Sequence, residues 1–483
     1  MGYSALAQVA PLLTNLALTP YLIHHLGLDR FGVWSLILVL LTTLTVLDGG
    51  VGASLQRFFA CHGARGDPEG TGRLVIGSMT VFVGLGALIS GIGLAVAPTA
   101  VDLLDLPSHL RGEAEELFLY LGPLVTAAMG SNAATALLQA HGRFRSLAGV
   151  SLGSCAAYGA AVVLLVGPGG SLGTLAAVSV GRYLLLLVCG LCVGARHVRL
   201  RRPLLPDADA RREFFGYALR MQLSGLTVFL NGQIDAFVIA ALLPVRYVGI
   251  YAAGYQAATA LRSLPLYAFP PIFTRMTVVY ARRGLAGAVE EFHAVEARWL
   301  PVVLTYGAVT TATVAFAVQV WLGTDLALSG VVAAVLMAGY AAQVAFTGIR
   351  TAFVRATGRP GLETRYCWFA TVVNLALTVP LTLQFGVVGV VLATAIGYTA
   401  GAVRFVFLCR RLADLREARL PKRWATATAL GVITGVVGEL PILNAGWHGL
   451  LPLTLAGLPV LAALACAAMV VAGGQLRRLR IGV

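Results

Sequence analysis

FGYALRMQLSGLTVFLNGQIDAFVIAALL, residues Phe215 to Leu243, is apolar throughout most of its length yet carries Arg220, Ser224, Thr227, Asn231 and Asp235. Steps of four, three, four and four residues stack those five polar groups on one face of a helix. At 1.5 Å per residue such a helix exceeds the roughly 30 Å hydrocarbon core of a bilayer, so the stripe runs through the membrane rather than along it. Two readings fit. The hydroxyls and the amide bond to neighbouring helices while the two charges pair, or the stripe lines the path of a solute. The depth of both charges weighs toward the path.

Working outward, the remaining sequence has the same character. Of 483 residues 58% are hydrophobic and 12% charged, and the mean hydropathy is +0.83. That composition excludes a set of soluble domains and reads as an all-α polytopic membrane protein with about fourteen transmembrane helices. The loops are too short to hold a catalytic domain, and no cofactor or metal motif stands out. The net charge of +14 follows topology rather than nucleic acid: Lys and Arg crowd alternate loops and leave Arg30, Arg111 and Arg246 on the opposite side. The positive-inside rule then places both termini in the cytoplasm. Residues Met1 to His24 lack a basic leader and a small-residue cleavage site and read as a retained first span. The cysteines read as packing residues, because Cys189 and Cys192 form a CxxC inside an apolar helix with no second ligand pair.

The second half repeats the first. Gly32 and Gly249 open corresponding spans 217 residues apart, Gly142 and Gly358 close corresponding spans 216 apart, and Gly173 and Gly389 open others at the same 216. Six spans per repeat is even, so the reading is two six-helix lobes related by a pseudo-two-fold along the membrane normal, plus two extra C-terminal helices. The boundaries are 1–195 for the first lobe, 196–215 for a cytoplasmic linker, 216–410 for the second lobe, and 411–483 for the extra helices and a basic tail.

Further polar stripes belong to the same cavity. Tyr251, Tyr255, Thr259 and Arg262 share one helical face, as do Tyr340, Gln343, Thr347 and Arg350. Arg262 is about 20 Å along its helix from Gly249, too deep to reach the interface. Asp48, in the run Asp48-Gly49-Gly50, is an acid at similar cost. Intramembrane Arg (Arg182, Arg220, Arg262, Arg350) outnumber the acids Asp48 and Asp235, so a cavity lined by them suits an anionic ligand.

The stretches LDRFGVWSL (28–36), LDGGVG (47–52), LLQAHGRFR (137–145) and LPVRYVGIYAAGYQ (243–256) resemble the multidrug/oligosaccharidyl-lipid/polysaccharide exporter superfamily, specifically its oligosaccharide flippases of the O-antigen type. The resemblance covers about residues 1–410 and departs mildly at Asp48-Gly49-Gly50, where the family often has Asp-Leu-Gly. It implies a non-enzymatic flippase that moves a polyprenyl-pyrophosphate-linked oligosaccharide from the inner to the outer leaflet of the cytoplasmic membrane by alternating access. The expected cavity ligands are Arg57, Arg220, Arg262 and Arg350 for the pyrophosphate and Asn231, Tyr251, Tyr255 and Gln256 for sugar hydroxyls, with Asp48 and Asp235 as coupling acids. Expected partners are the lipid-linked anionic glycan, membrane lipids, and a polysaccharide polymerase or other assembly proteins. Three rivals stand beside it: a cation-coupled multidrug exporter of the same fold, a lipid II flippase, and a membrane enzyme acting on lipid-linked glycans. The Arg excess argues against the first, an Arg-free first span against the second, and the lack of a catalytic constellation against the third.

Overall fold

The computed structural model describes residues 2–46, 51–103, 108–166, 170–199, 212, 233–266, 268–359 and 361–413. Among them there is no β-strand, and the helices are α1 (Gly2–Leu26), α2 (Leu28–Val46), α3 (Val51–Ala64), α4 (Pro68–Leu103), α5 (Ser108–Ala140), α6 (Phe144–Leu165), α7 (Leu172–Gly194), α8 (Gln233–Leu242), α9 (Arg246–Leu266), α10 (Phe269–Leu322), α11 (Ala327–Ala356), α12 (Gly361–Phe385) and α13 (Val387–Ala413). Nine described helices are long and apolar enough to cross a membrane. Large apolar side chains face outward on several of them, including Leu88, Leu164 and Leu383, as expected where lipid rather than water is the solvent.

The chain divides into two compact units, Met1–Gly249 and Ile250–Val483. A Cβ at Gly32 would collide with the carbonyl oxygen of Val245, and one at Gly249 would lie 3.0 Å from the carbonyl oxygen of Leu28. Such close backbone approach, which only glycine permits, ties the 245–249 turn to α2 in the first unit.

Inside each unit the same elements recur in the same order. In the first, α4 packs on α5, α5 on α7, and α6 on α7; in the second, α10 packs on α11, α11 on α13, and α12 on α13. The turn after α5 has Gly142 at φ 68°, with its N–H donating to Gln139 O (3.0 Å) and the Arg143 N–H to Leu138 O (2.8 Å). The turn after α11 copies it: Gly358 sits at φ 72°, its N–H donates to Arg355 O (3.2 Å), and the Arg359 N–H donates to Val354 O (2.7 Å). Both are glycine C-caps whose left-handed backbone disfavours any residue with a Cβ.

One break in the helical pattern was not read from the sequence. In the second unit, α10 continues through a stretch of charged residues and is interrupted only at Gly284 (φ 65°, ψ −162°). Gly66, between α3 and α4, has φ 66° and lies 218 residues earlier. The two halves of α10 therefore correspond to α3 and α4.

The first core is built on Trp34, Phe59, Phe82, Leu117 and Leu124, each 2% exposed or less. Trp34 is thus a packing residue. The second core gathers Met276, Phe292, Phe353, Tyr366 and Phe405. Outside the apolar layer, Asp67 caps α4 by accepting from the Gly70 N–H (2.7 Å) while pairing with His62 (2.9 Å). That backbone N–H holds the Asp67 carboxyl below the usual aspartate range, with the His62 contact adding to it.

Candidate functional site

The second unit brings a half-buried cation together with aromatic rings. Helix α9 starts after Pro244 and Val245, with the Tyr247 N–H on Pro244 O (2.9 Å). It packs tightly on α11 because Gly254 leaves room for the backbone: a Cβ there would meet Ser329 O at 2.5 Å. Tyr306 of α10 donates its hydroxyl to Leu261 O (2.7 Å), fixing the end of α9 from the other side.

This framework places the Arg262 guanidinium carbon 4.4 Å from the ring centroid of Tyr340 on α11 and 5.4 Å from that of Tyr398 on α13. Tyr398 also hydrogen-bonds the guanidinium, and Tyr255 contributes to its field from about two turns earlier on α9. Arg262 Nε is shut off from solvent and has no hydrogen-bond acceptor in the structure. Among the described residues no carboxylate pairs with it. Ring faces stabilise the cation without neutralising it, so the guanidinium keeps N–H donors for an added oxyanion. On the same helix Tyr251 stacks on Tyr255, ring centroids 5.6 Å apart, and Gln256 follows, half-buried.

Arg350 is different. Its Nη2 lies 2.7 Å from Glu296 Oε1, both side chains are 2% exposed, and its Nη1 donates to Phe346 O (2.9 Å). The Phe292 ring covers the guanidinium at 5.5 Å. Tyr340 and Thr347 of the same stripe are also buried. This stripe therefore faces the packed interior of the second unit, and the charge of Arg350 is committed to a carboxylate. The sequence reading expected Arg350 among the ligand-binding arginines and did not count Glu296 as an intramembrane acid, because Glu296 lies in a charged run that reads as a loop.

In the first unit Arg182 is held by Tyr158 (5.0 Å) and Tyr183 (5.7 Å), with Cys155 Sγ 3.6 Å away. Asp235, on α8, is 2% exposed. Asp48, Arg220 and Asn231 lie outside the described residues, and Arg57 is described only by its backbone position on α3. Tyr398 was missed by sequence reasoning. Its signal is present only in three dimensions, because nothing in its own helix marks it as the partner of an arginine on α9. No group of three His, Cys, Asp or Glu able to hold a metal occurs among the described residues.

Comparison with known proteins agrees with this architecture. The lipid II flippase MurJ, in an inward closed conformation, superposes with a TM-score of 0.68 at 10% identity, over 98% of this chain and 98% of that one. A multidrug resistance MATE transporter of the MOP superfamily, inward-facing, gives 0.65 at 14% identity over 85% of this chain and 98% of that one; an outward-facing MATE transporter gives 0.58 at 16% over 85% and 94%. These likenesses establish a shared fold. No curated protein sequence matches the chain. The family profile described as polysaccharide biosynthesis protein matches residues 1–277, more than half of the sequence, and the chain belongs to that family.

Proposed function

We propose that the protein is a flippase for a polyprenyl-pyrophosphate-linked oligosaccharide, carrying it from the inner to the outer leaflet of the cytoplasmic membrane during cell-surface polysaccharide synthesis. Both termini lie in the cytoplasm. The observation that carries the proposal is Arg262, a deep cation held by tyrosines and paired with no carboxylate among the described residues. A desolvated guanidinium kept charged in this way favours an anion, and its planar donors match phosphate oxygens. Tyr251, Tyr255 and Gln256, one to three turns away on α9, would meet sugar hydroxyls, joined by Asn231. Arg57 and Arg220 would share the pyrophosphate, and the polyprenyl tail would remain in lipid. Asp48 and Asp235 would take up the coupling ion, since a carboxylate at membrane depth is costly to keep charged and so is suited to binding a proton or cation.

The test is glycan export in cells together with membrane abundance of the protein. Arg262→Ala should abolish export at near-normal abundance, Arg262→Lys should keep part of it, and Arg262→Glu should be inactive. Restoration of export by Arg262→Asp combined with Asp235→Arg would show an ion pair instead and rule out the phosphate role. A multidrug exporter of the same fold takes a mainly cationic cargo in the alternative reading. Unchanged glycan export with lost drug resistance in Arg262→Ala would favour it.

A further inference from the structure

A second group of arginines lines an exposed groove between α12 and α13. The first turns of α12 and the last turns of α13 run side by side and enclose two adjoining hollows of about 570 and 520 Å³ that share Phe369 and Arg404. Arg365, Trp368, Phe369 and Val372 face them from α12, at helical steps of three, one and three. Val403, Arg404, Phe407 and Arg411 face them from α13, at steps of one, three and four. The Arg404 guanidinium lies over the Phe369 ring at 4.5 Å.

The groove is amphipathic along its length. Arg365 and Arg411 mark the ends of the helices nearest the basic loops, which the positive-inside rule assigns to the cytoplasm. Arg404 comes about 10 Å deeper than Arg411, and beyond it the walls are Val372 and Val403, 58% and 49% exposed. Trp368, an aromatic residue at interfacial depth, is 43% exposed. The acid at this end of α12 is already engaged: Glu363 accepts two hydrogen bonds from Arg355, at 2.7 and 2.6 Å. Among the described residues no carboxylate pairs with Arg365, Arg404 or Arg411.

We propose that this groove is a binding site for an anionic glycerophospholipid of the cytoplasmic leaflet, with its phosphate among Arg365, Arg404 and Arg411 and an acyl chain along Val372 and Val403. Three guanidiniums at one helix–helix seam match a phosphate-bearing headgroup, the exposed apolar walls match a chain, and both lie where anionic lipids are concentrated. A free phosphate would use the arginines but leave the apolar walls uncovered. Occupancy is independent of the cargo site at Arg262.

Trp368 provides a local reporter. The full chain, delipidated in detergent, is titrated with brominated phosphatidylglycerol or brominated phosphatidylcholine, and quenching is read as the difference between the native protein and Trp368→Phe. The expected result is half-quenching at a much lower concentration of phosphatidylglycerol, a preference that falls about fivefold for each arginine replaced by glutamine. Replacing all three by lysine should preserve most of it. Should the triple glutamine variant fail to elute as a single species, Arg404→Gln alone decides. Equal quenching by both lipids, or a preference that survives the glutamine substitutions, would overturn the proposal. So would displacement by inorganic phosphate beyond that caused by chloride of equal ionic strength, which assigns the site to a free anion. Absence of quenching by either lipid would show the groove to be covered by protein, with the same consequence.

Discussion

At the scale of single residues, two arginines of one unit, Arg350 buried and Arg262 half-buried, have opposite circumstances. Arg350 has Glu296 at 2.7 Å, both sealed from solvent, whereas Arg262 has tyrosines. Leaving one member of a buried pair uncompensated costs about 3 to 5 kcal/mol, so Glu296→Leu or Arg350→Leu alone should lower the unfolding temperature sharply in detergent. Replacing both by leucine should recover most of that loss and retain glycan export, whereas an export-dead but well-folded double variant would return Arg350 to the cargo path. The sequence made Arg350 and Arg262 look alike, since each ends a polar stripe of helical spacing. What separates them is the neighbour supplied by another helix, and Glu296 was hidden by charges around it that read as a loop. Asp67 gives a residue-scale expectation about pH. Its carboxyl is held below the ordinary value, so its stabilisation is fully present above about pH 4 and is lost as pH falls through the lowered value. Asp67→Ala should cost about 1 kcal/mol at neutral pH and progressively less in acid, which detergent unfolding at several pH values will check.

At the scale of elements, glycine positions were more legible than helix ends. Gly142 and Gly358 were paired from their spacing alone, and each caps a helix at positive φ with the same two hydrogen bonds. Replacing either by alanine forces a Cβ into the left-handed region, so Gly142→Ala and Gly358→Ala should each destabilise by about 1 kcal/mol, measured as a lower unfolding temperature. The continuation of α10 through its charged middle could not be read in the same way. A helix that leaves the apolar layer can continue in water with its backbone bonds made internally, so a hydropathy pattern marks where the membrane ends but not where the helix does. Gly284 nonetheless stands where the repeat requires a turn, with a φ within one degree of that of Gly66.

At the scale of the whole molecule, the fold class, the polytopic character and the internal repeat were legible because apolar length and recurrent glycines are properties of the chain itself. Membership of the polysaccharide biosynthesis family and the fold shared with MurJ and MATE transporters leave the cargo as the central proposal. The most direct measurement uses the purified full chain in liposomes carrying a fluorescent polyprenyl-pyrophosphate-linked oligosaccharide in the inner leaflet, with its appearance in the outer leaflet read by a membrane-impermeant quencher. The account expects transfer by the native protein and loss of transfer in Arg262→Ala reconstituted to the same level. Transfer at equal rates by both proteins, or none by a native protein shown to be folded and supplied with each candidate gradient, would contradict it.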